Sequence, residues 1–373
     1  MADPLRILFL ADSHLGFDLP ERPRVARRRR GEDFLANHAA ALAPARRGEV
    51  DLVVHGGDVF DRPQVPASLA YQAYAPLLEV AERGIPVFIV PGNHERSRLP
   101  HVRFAAHPRV HVFDRPRTFR LQVRGAALGL SGFPYERRSV RTRFRELLEQ
   151  TGWREDASAA RLLCVHHCAE GATVGPGDFT FTTAADVIRP CDVPEEFAAV
   201  LSGHIHRYQV LMRDLRGRPL RVPVFYPGSI ERTSLAEAGE RKGYLRLALH
   251  AAEPAARVTW SFHELPARPM IVRELKIGGL SAQALDTALQ ELVRSAPVDA
   301  VLRVRVKGDV PASHAPVLAA ARLRRLAPPA MNLEVTTDTF LRRTGEVRDR
   351  RTRTASSAAG RSAPPDPQLG LLA

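Results

Sequence analysis

Five short stretches of this 373-residue chain carry side chains that bind metal ions, and each follows directly on an apolar run. In order they are Asp12-Ser13-His14, Gly57-Asp58 with Asp61 shortly after, Gly92-Asn93-His94-Glu95, His166-His167 and Gly203-His204-Ile205-His206. Carboxylate, imidazole and amide oxygen together suit borderline to hard divalent ions such as manganese, iron or zinc, and the absence of thiolates argues against a structural zinc site. Singly, an Asp-x-His or a Gly-Asn-His is more often a turn or a helix cap than a ligand. Their joint occurrence, in order and each after its own strand, is what makes them a site. Seven candidate ligands exceed what one ion holds, so two ions bridged by a carboxylate are expected, the standard arrangement for in-line phosphoryl displacement by an activated water. Gly57 and Gly92 each precede a candidate ligand and permit the sharp turn or close backbone approach that such a loop needs.

The apolar runs that must position these residues are Leu5 to Ala11, Asp51 to Val54, Ile85 to Val90, Arg161 to Val165 and Ala198 to Leu201. They read as strands, and their continuous rather than alternating hydrophobicity predicts cover on both faces. Helical periodicity over Asp33 to Arg47, Ser68 to Arg83 and Val140 to Gln150 lies between them, the alternation of an α/β domain. In an open α/β sheet, loops converge on a site at the carboxyl ends of the strands, so five separate stretches would deliver donors to one rim. His55, inside the second run, is expected to be a packed strand histidine. His38 and the other histidines outside the five stretches have no partner motif and read as surface or structural.

Pro266 to Pro269 form a proline-flanked joint, and a different pattern begins beyond it. Glu274 to Ile277, Ala300 to Val306 and Asn332 to Thr337 predict strands; Ser281 to Ser295, capped by Ser281, and Ala315 to Leu326, stopped by Pro328 and Pro329, predict helices. The chain is thus expected to comprise a domain over 1–265, a β-α-β-α-β module over 270–340 and an Arg/Ser/Ala/Pro-rich disordered tail over 341–373.

Composition sets outer limits. With 25% charged residues and no apolar run approaching ~20 residues, a transmembrane reading is excluded. The first residues show no basic n-region and no cleavable h-region, so no ordinary secretory signal is expected. Cys164, Cys168 and Cys191 are odd in number and not at zinc-ribbon spacing, which leaves no disulfide framework and predicts a reducing cytoplasm. The net charge of +13 points to a polyanion such as nucleic acid. Of the 54 basic residues, however, all but Lys242, Lys276 and Lys307 are arginine, a ratio that composition bias also produces. The charge therefore bears on the choice of substrate rather than on the class of protein.

The ordered blocks resemble the calcineurin-like metallophosphoesterase superfamily, whose pattern is D-x-H, G-D-x-x-D, G-N-H-[DE], a lone H and G-H-x-H. More narrowly, the chain resembles the SbcD-type DNA repair nucleases. Ala11-Asp12-Ser13-His14-Leu15-Gly16 matches that branch's D-x-H-L-G form, as does Tyr226-Pro227-Gly228-Ser229-Ile230-Glu231-Arg232, followed by Glu237, Glu240 and Lys242-Gly243-Tyr244. The resemblance covers residues 5 to about 265 and implies a sandwich of two mixed sheets flanked by helices; the module sits where the family has a small α+β capping domain that contacts DNA. Position by position it implies Asp12, His14 and His206 at one metal, Asn93, His166 and His204 at the other, and Asp58 bridging. His94 would stand over the scissile phosphate, stabilising the transition state and able to protonate the leaving oxygen. His166 is taken as the ligand of the doublet because the apolar strand runs straight into it, which turns His167 the other way. Asp61 stands where archaeal and eukaryotic relatives have a second catalytic histidine and bacterial ones commonly aspartate; its implied role is to orient His94 or a ligand.

The resemblance further implies two manganese ions, with iron or zinc as alternatives, and a DNA exonuclease or endonuclease acting in repair and recombination. Its implied partners are DNA, an SbcC-type coiled-coil ATPase and a second copy of the chain. The stretch following the module is short and arginine-rich, without an amphipathic helix. Arg27 to Arg30 and the group Arg137, Arg138, Arg141, Arg143 and Arg145 are expected to track a duplex backbone. The same site also allows a phosphatase or phosphodiesterase acting on small-molecule or protein phosphate esters, because one fold hosts all of these. A catalytically silent scaffold predicts at least one missing ligand, and all seven are present.

Overall fold

The five apolar runs become the strands Leu5–Leu10, Leu52–His55, Val87–Ile89, Ala160–Val165 and Ala199–Ser202 in the computed structural model, which describes residues 3–18, 28–250 and 257–337. They are divided between two six-stranded sheets. The first sheet runs, edge to edge, Arg257–Glu264, Gly243–His250, Leu5–Leu10, Leu52–His55, Val87–Ile89 and Val110–Val112. The second runs Gln209–Arg213, Pro219–Tyr226, Ala199–Ser202, Ala160–Val165, Ala126–Gly132 and Arg117–Val123. The first is parallel from Leu5–Leu10 to Val110–Val112 and antiparallel at its other side, and the second has a parallel centre with an antiparallel pair at each edge, so both are mixed.

Side chains alternate across a strand, and here both faces are covered. Leu5, Ile7 and Phe9 join Val54, Phe88, Leu130, Leu162 and Leu201 in a core formed by both sheets. Leu8, Leu10, Val53 and Ile89 point the other way, into a core with Phe34 and Ala41 of the helix Arg30–Ala41 and Leu69, Ala73 and Leu77 of the helix Ala67–Glu82. Leu163, Val165, Val200 and Val224 of the second sheet pack with Val140, Phe144, Leu147 and Leu148, which share one face of the helix Val140–Gln150. The result is a helix–sheet–sheet–helix sandwich, with the strand ends named above at one rim.

The segment Asp33 to Arg47 is not one helix. It forms Arg30–Ala41 and a separate turn, Ala43–Arg46, because Pro44 has no N–H to donate to the carbonyl four residues back. The strands outside the five runs lie toward the sheet edges, where one face meets solvent and the pattern turns polar, as in Arg117–Val123.

Of the described residues, 29–233, 239–250 and 257–267, with 3–18, form one compact unit, and 28, 234–238 and 268–337 form a second. The second unit holds a three-stranded parallel sheet with Val301–Lys307 between Met270–Lys276 and Asn332–Thr337. Parallel neighbours require a crossover, and Ala282–Ser295 supplies one, with the Ser281 hydroxyl accepting from Ala284 N at 3.1 Å. Its Leu285, Leu289 and Val293 pack on Leu302, Val304 and Val306. Two expectations need correction here. The first strand begins at Met270 rather than Glu274, and the second helix is interrupted at Ala319, where the backbone is extended; nothing in the sequence explains that break. The expectation for 341–373, and Arg27, lie outside the described residues. No helix among the described residues is long and apolar enough to cross a membrane.

Phe88 is fully buried in the inter-sheet core, its ring 4.8 Å from that of His111 and 5.6 Å from that of Phe119. Phe88→Ala is expected to cost about 3–5 kcal/mol in urea unfolding of the metal-free protein; a loss below about 1 kcal/mol would show that the sheets do not share this core.

Candidate metal centre

The backbone ladder between Leu5–Leu10 and Leu52–His55 does not stop where the strands end. Gly56 N donates to Leu10 O, Asp12 N to Gly57 O, His14 N to Asp58 O and Leu15 N to Val59 O, all at 2.8–3.0 Å. The loops bearing Asp12, His14, Asp58 and Asp61 are therefore zipped together rather than free. Four candidate ligands sit at positive φ although none is glycine: Asp12 at 51°, His14 at 42°, Asp58 at 50° and His204 at 81°. Such conformations cost free energy and persist where surrounding structure imposes them, commonly at functional sites. The glycines make room. Gly57 has φ 110°, and a Cβ there would lie 2.8 Å from His166 Cγ. A Cβ on Gly92 would lie 2.6 Å from Asp58 N and collide with Asp58 Oδ1. Gly203 is as tightly held, with a hypothetical Cβ 2.8 Å from His166 Nδ1.

The donors converge around Asp58, where His94 also comes within 4.8 Å of His14 and Asp58. His14 Nε2 and His206 Nε2 are 2.9 Å apart, and with Asp12 they form one set of donor atoms all within 4.8 Å of one another. Asn93 Oδ1 lies 2.9 Å from both His166 Nε2 and His204 Nδ1. Asp58, His166 and His204 form a second set. Asp58 Oδ2 is 3.2 Å from His166 Nε2 and 4.0 Å from His14 Nε2, so one carboxylate reaches both groups. Donors ~3 Å apart are what two ligands at about 2.1 Å from a common ion present, and the residues fit a pair of cations.

His94 and Asp61 stand beside these groups. The His94 ring donates from Nδ1 to the backbone carbonyl of Asp61 at 2.9 Å, and its amide donates to Asp58 Oδ1 at 3.0 Å. Its side chain is 37% exposed, whereas His14, Asp58 and His166 are almost wholly buried. The Asp61 carboxylate lies 3.6 Å from His14 Nδ1. His167 belongs elsewhere: its Nε2 accepts from Glu136 N at 3.0 Å and its ring stacks on Tyr135, 4.8 Å between centroids.

Charge in this buried space is uneven. Burial raises Asp12 above the usual carboxylate range, while His166 draws Asp58 well below it against the same penalty. His166 is raised to about 9 by Asp58 although its own burial works the other way. Burial holds His204 well below the ordinary histidine value. Two buried carboxylates facing four imidazoles thus keep a proton on His166 that a cation would replace, since metal ligands must be deprotonated.

Support comes from residues whose role the sequence did not disclose. Gly57 N donates to His55 Nδ1 at 3.2 Å, which places the His55 proton on Nε2, 2.8 Å from Ser13 Oγ. His38 Nε2 donates to Ala73 O at 3.1 Å, so its Nδ1 accepts from Ser13 Oγ at 3.2 Å. This chain of neutral rings ties both ligand loops to the two helices beneath them. His38, for which the sequence left surface and structural places open, is buried and structural. Glu95 accepts from Phe60 N at 2.9 Å and Gly92 N at 2.8 Å, clamping the second ligand loop to the third. The position of Ser13 between two candidate ligands was the available signal; for Tyr135, whose ring is 5.7 Å from His204, the sequence offers none.

Stacked mixed sheets with buried donors at their strand ends define a metallophosphoesterase. Residues 5–208, more than half of the chain, match the family model described as calcineurin-like phosphoesterase, and the chain belongs to that family. It is 25% identical over 308 residues to the SbcD component of the nuclease SbcCD of Bacillus subtilis, covering 74% of each protein. It is also 25% identical over 345 residues to the DNA double-strand break repair protein Mre11 of Aeropyrum pernix, covering 85% of this chain and 76% of that one. Among solved structures, a dimetal phosphatase from Danio rerio aligns with TM-score 0.42 and 12% identity over 69% of this chain and 99% of its own.

Gly92→Ala is expected to displace Asp58 and abolish tight metal binding without unfolding the sandwich, as read from metal content and far-UV circular dichroism; full metal occupancy in this variant would contradict the packing described. A second expectation concerns pH. Burial lowers His38 from 6.5 to about 4, so protonation favours the unfolded chain. The contribution of His38 is intact above pH 6.5, falls as pH drops from 6.5 to about 4, and totals about 3 kcal/mol. His38→Gln should flatten urea-derived stability over that window; parallel curves for variant and parent would rule out a neutral buried His38.

Proposed function

We propose that this protein is a manganese-dependent, two-metal phosphodiesterase that cleaves DNA as an exonuclease or endonuclease in repair. The observation that carries the reading is the reach of Asp58 Oδ2 to both donor groups, 3.2 Å from His166 Nε2 and 4.0 Å from His14 Nε2. Asp12, His14 and His206 would hold one ion, Asn93, His166 and His204 the other, and Asp58 both. Bound there, two divalent cations would supply Lewis acidity and an activated water for in-line attack at phosphorus. Carboxylate, imidazole and amide oxygen without thiolate suit manganese, iron or zinc, and manganese is chosen on the resemblance to the SbcD-type nucleases.

The chain's own part in the chemistry falls to His94. With Nδ1 committed to Asp61 O, the ring keeps its orientation and offers Nε2 as the atom that hands a proton to the leaving sugar oxygen. Asp61 holds His94 through its carbonyl, and its carboxylate lies 3.6 Å from His14 Nδ1.

Support for DNA comes from arginine placement as well as from the two relatives' names. In the group 137–145, Arg141 pairs with Glu170 at 2.7 Å, Arg143 with Glu136 and Glu146, and Arg145 with Asp192 at 3.0 Å. Arg29 pairs with Asp18 at 2.7 Å and Arg30 with Glu231 at 3.6 Å. Arg137 and Arg138 are exposed, on a loop whose Tyr135 N donates to Pro91 O at 2.9 Å and whose Tyr135 O accepts from Ser97 Oγ at 2.5 Å. Arg96 and Arg98, also exposed, lie on the loop so attached, next to His94. These four arginines are positioned to meet a phosphate backbone entering the site. An SbcC-type ATPase is the partner the reading implies, and Cys164, Cys168 and Cys191, none of them in a disulfide, suit a reducing cytoplasm.

With manganese added to metal-free protein, linear duplex DNA is expected to be cut and a chelator to stop it; turnover of bis-p-nitrophenyl phosphate without DNA cleavage would instead favour small-molecule or protein phosphate esters. His94→Ala is expected to keep its metal content while hydrolysis falls about 10²–10⁴-fold. Unchanged hydrolysis would remove His94 from the mechanism.

A further inference from the structure

The motif Glu240-x-Lys242-Gly243-Tyr244 carries no metal donor and takes no part in the chemistry above, yet it places a charge where charges are rarely found. The Lys242 side chain is fully buried. In a chain whose basic residues are arginine at all but three positions, this one is lysine. A compact ammonium directs its three rotatable donors from a single point, where a guanidinium would present a planar fork. Lys242 Nζ donates to the backbone carbonyl of His206 at 2.8 Å and to Glu240 Oε2 at 2.8 Å. Glu240 Oε1 accepts from Arg207 Nε at 3.2 Å, so the same network grips the residue after His206.

The other contacts of His206 converge on the same end. Its carbonyl also accepts from Ser229 N at 3.0 Å, and its Nδ1 lies 3.3 Å from Thr233 Oγ1, which leaves Nε2 facing His14. Gly228, at φ 77°, allows the approach, since a Cβ there would lie 2.7 Å from His206 O. Gly243 allows another, with a hypothetical Cβ 2.7 Å from Phe262 Cζ, so the strand Gly243–His250 pairs closely with its neighbour and Lys242 is delivered at its start. The donors of the second group are held differently: His166 Nδ1 hydrogen-bonds Gly56 O at 2.8 Å, and His204 N donates to Asp12.

We infer that Lys242, oriented by Glu240, is a positioning residue that braces His206 through its carbonyl and thereby sets the affinity of the Asp12–His14–His206 group alone for its cation. The inference rests on the two-metal reading of the centre. Outer contacts of this kind are worth 10–100-fold in metal affinity.

The test is titration of metal-free Lys242→Met with manganese alone, followed by calorimetry and by electron paramagnetic resonance of free manganese, with His206→Ala as the reference for loss of one group. The expected result is one binding step weakened about 10–100-fold and the other within about twofold of the parent. Unchanged binding at both steps would overturn the inference, as would equal weakening of both, which is what loosened packing would produce. Should Lys242→Met fail to fold, Glu240→Gln keeps shape and hydrogen bonding, and is expected to weaken the same step by a smaller factor; no weakening there overturns the inference as well. A parent chain that binds only one manganese would instead defeat the two-metal reading, and the brace with it.

Discussion

The first unit is arranged around the burial of Asp12 and Asp58 among four imidazoles at the ends of strands from two different sheets. Taking carboxylates out of water costs several kcal/mol per charge unless other groups replace the lost hydration. Here the replacement is dense: His204 N donates to Asp12 at 3.0 Å, His94 N to Asp58 at 3.0 Å, and His166 lies against Asp58 at 3.2 Å. The divergent proton affinities, Asp12 raised and Asp58 lowered, follow from that uneven solvation. Such a cluster fits a divalent cation, which would complete it.

The constraint propagates outward. Donors from five loops can meet only if their backbones approach closely, so glycine stands at 57, 92 and 203, where a Cβ would strike His166 or Asp58. Four candidate ligands accept positive φ as part of the same compromise. Rigidity then comes from outside: the Ser13–His55–His38 chain fastens the first two loops to the helices, and Glu95 joins the second loop to the third. These supports hold atoms in place without being candidate ligands: Glu95 closes the third motif, Ser13 fills the variable position of the first, and His38 lies outside the motifs.

The large positive charge of the chain separates into two populations. Arg141, Arg143 and Arg145 are occupied by Glu170, Glu136 and Asp192, and surface pairs like these add little stability but do reduce the local positive field. Arg96, Arg98, Arg137 and Arg138 stay exposed on two loops joined beside His94. Position in the fold, rather than the total of +13, is what separates the two.

The sequence by itself determined the strands, because Leu5 to Ala11 and its counterparts are apolar on both faces and so had to lie between covered layers. It also named the candidate donors: Asp12, His14, Asp58, Asn93, His166, His204 and His206 follow those strands at once, and the fold brings them together. What it left open depends on contacts between residues far apart in the chain. Polar edge strands such as Arg117–Val123 take their place from pairing rather than from a hydrophobic period. The assignment of the five strands to two sheets, the break in the helix at Ala319, and the tie from Lys242 to His206 likewise have no local signature. Local pattern fixes which faces must be buried. Only the tertiary structure decides which distant carbonyl a buried ammonium meets, because that is settled by the geometry of packing and not by the residue's own neighbours.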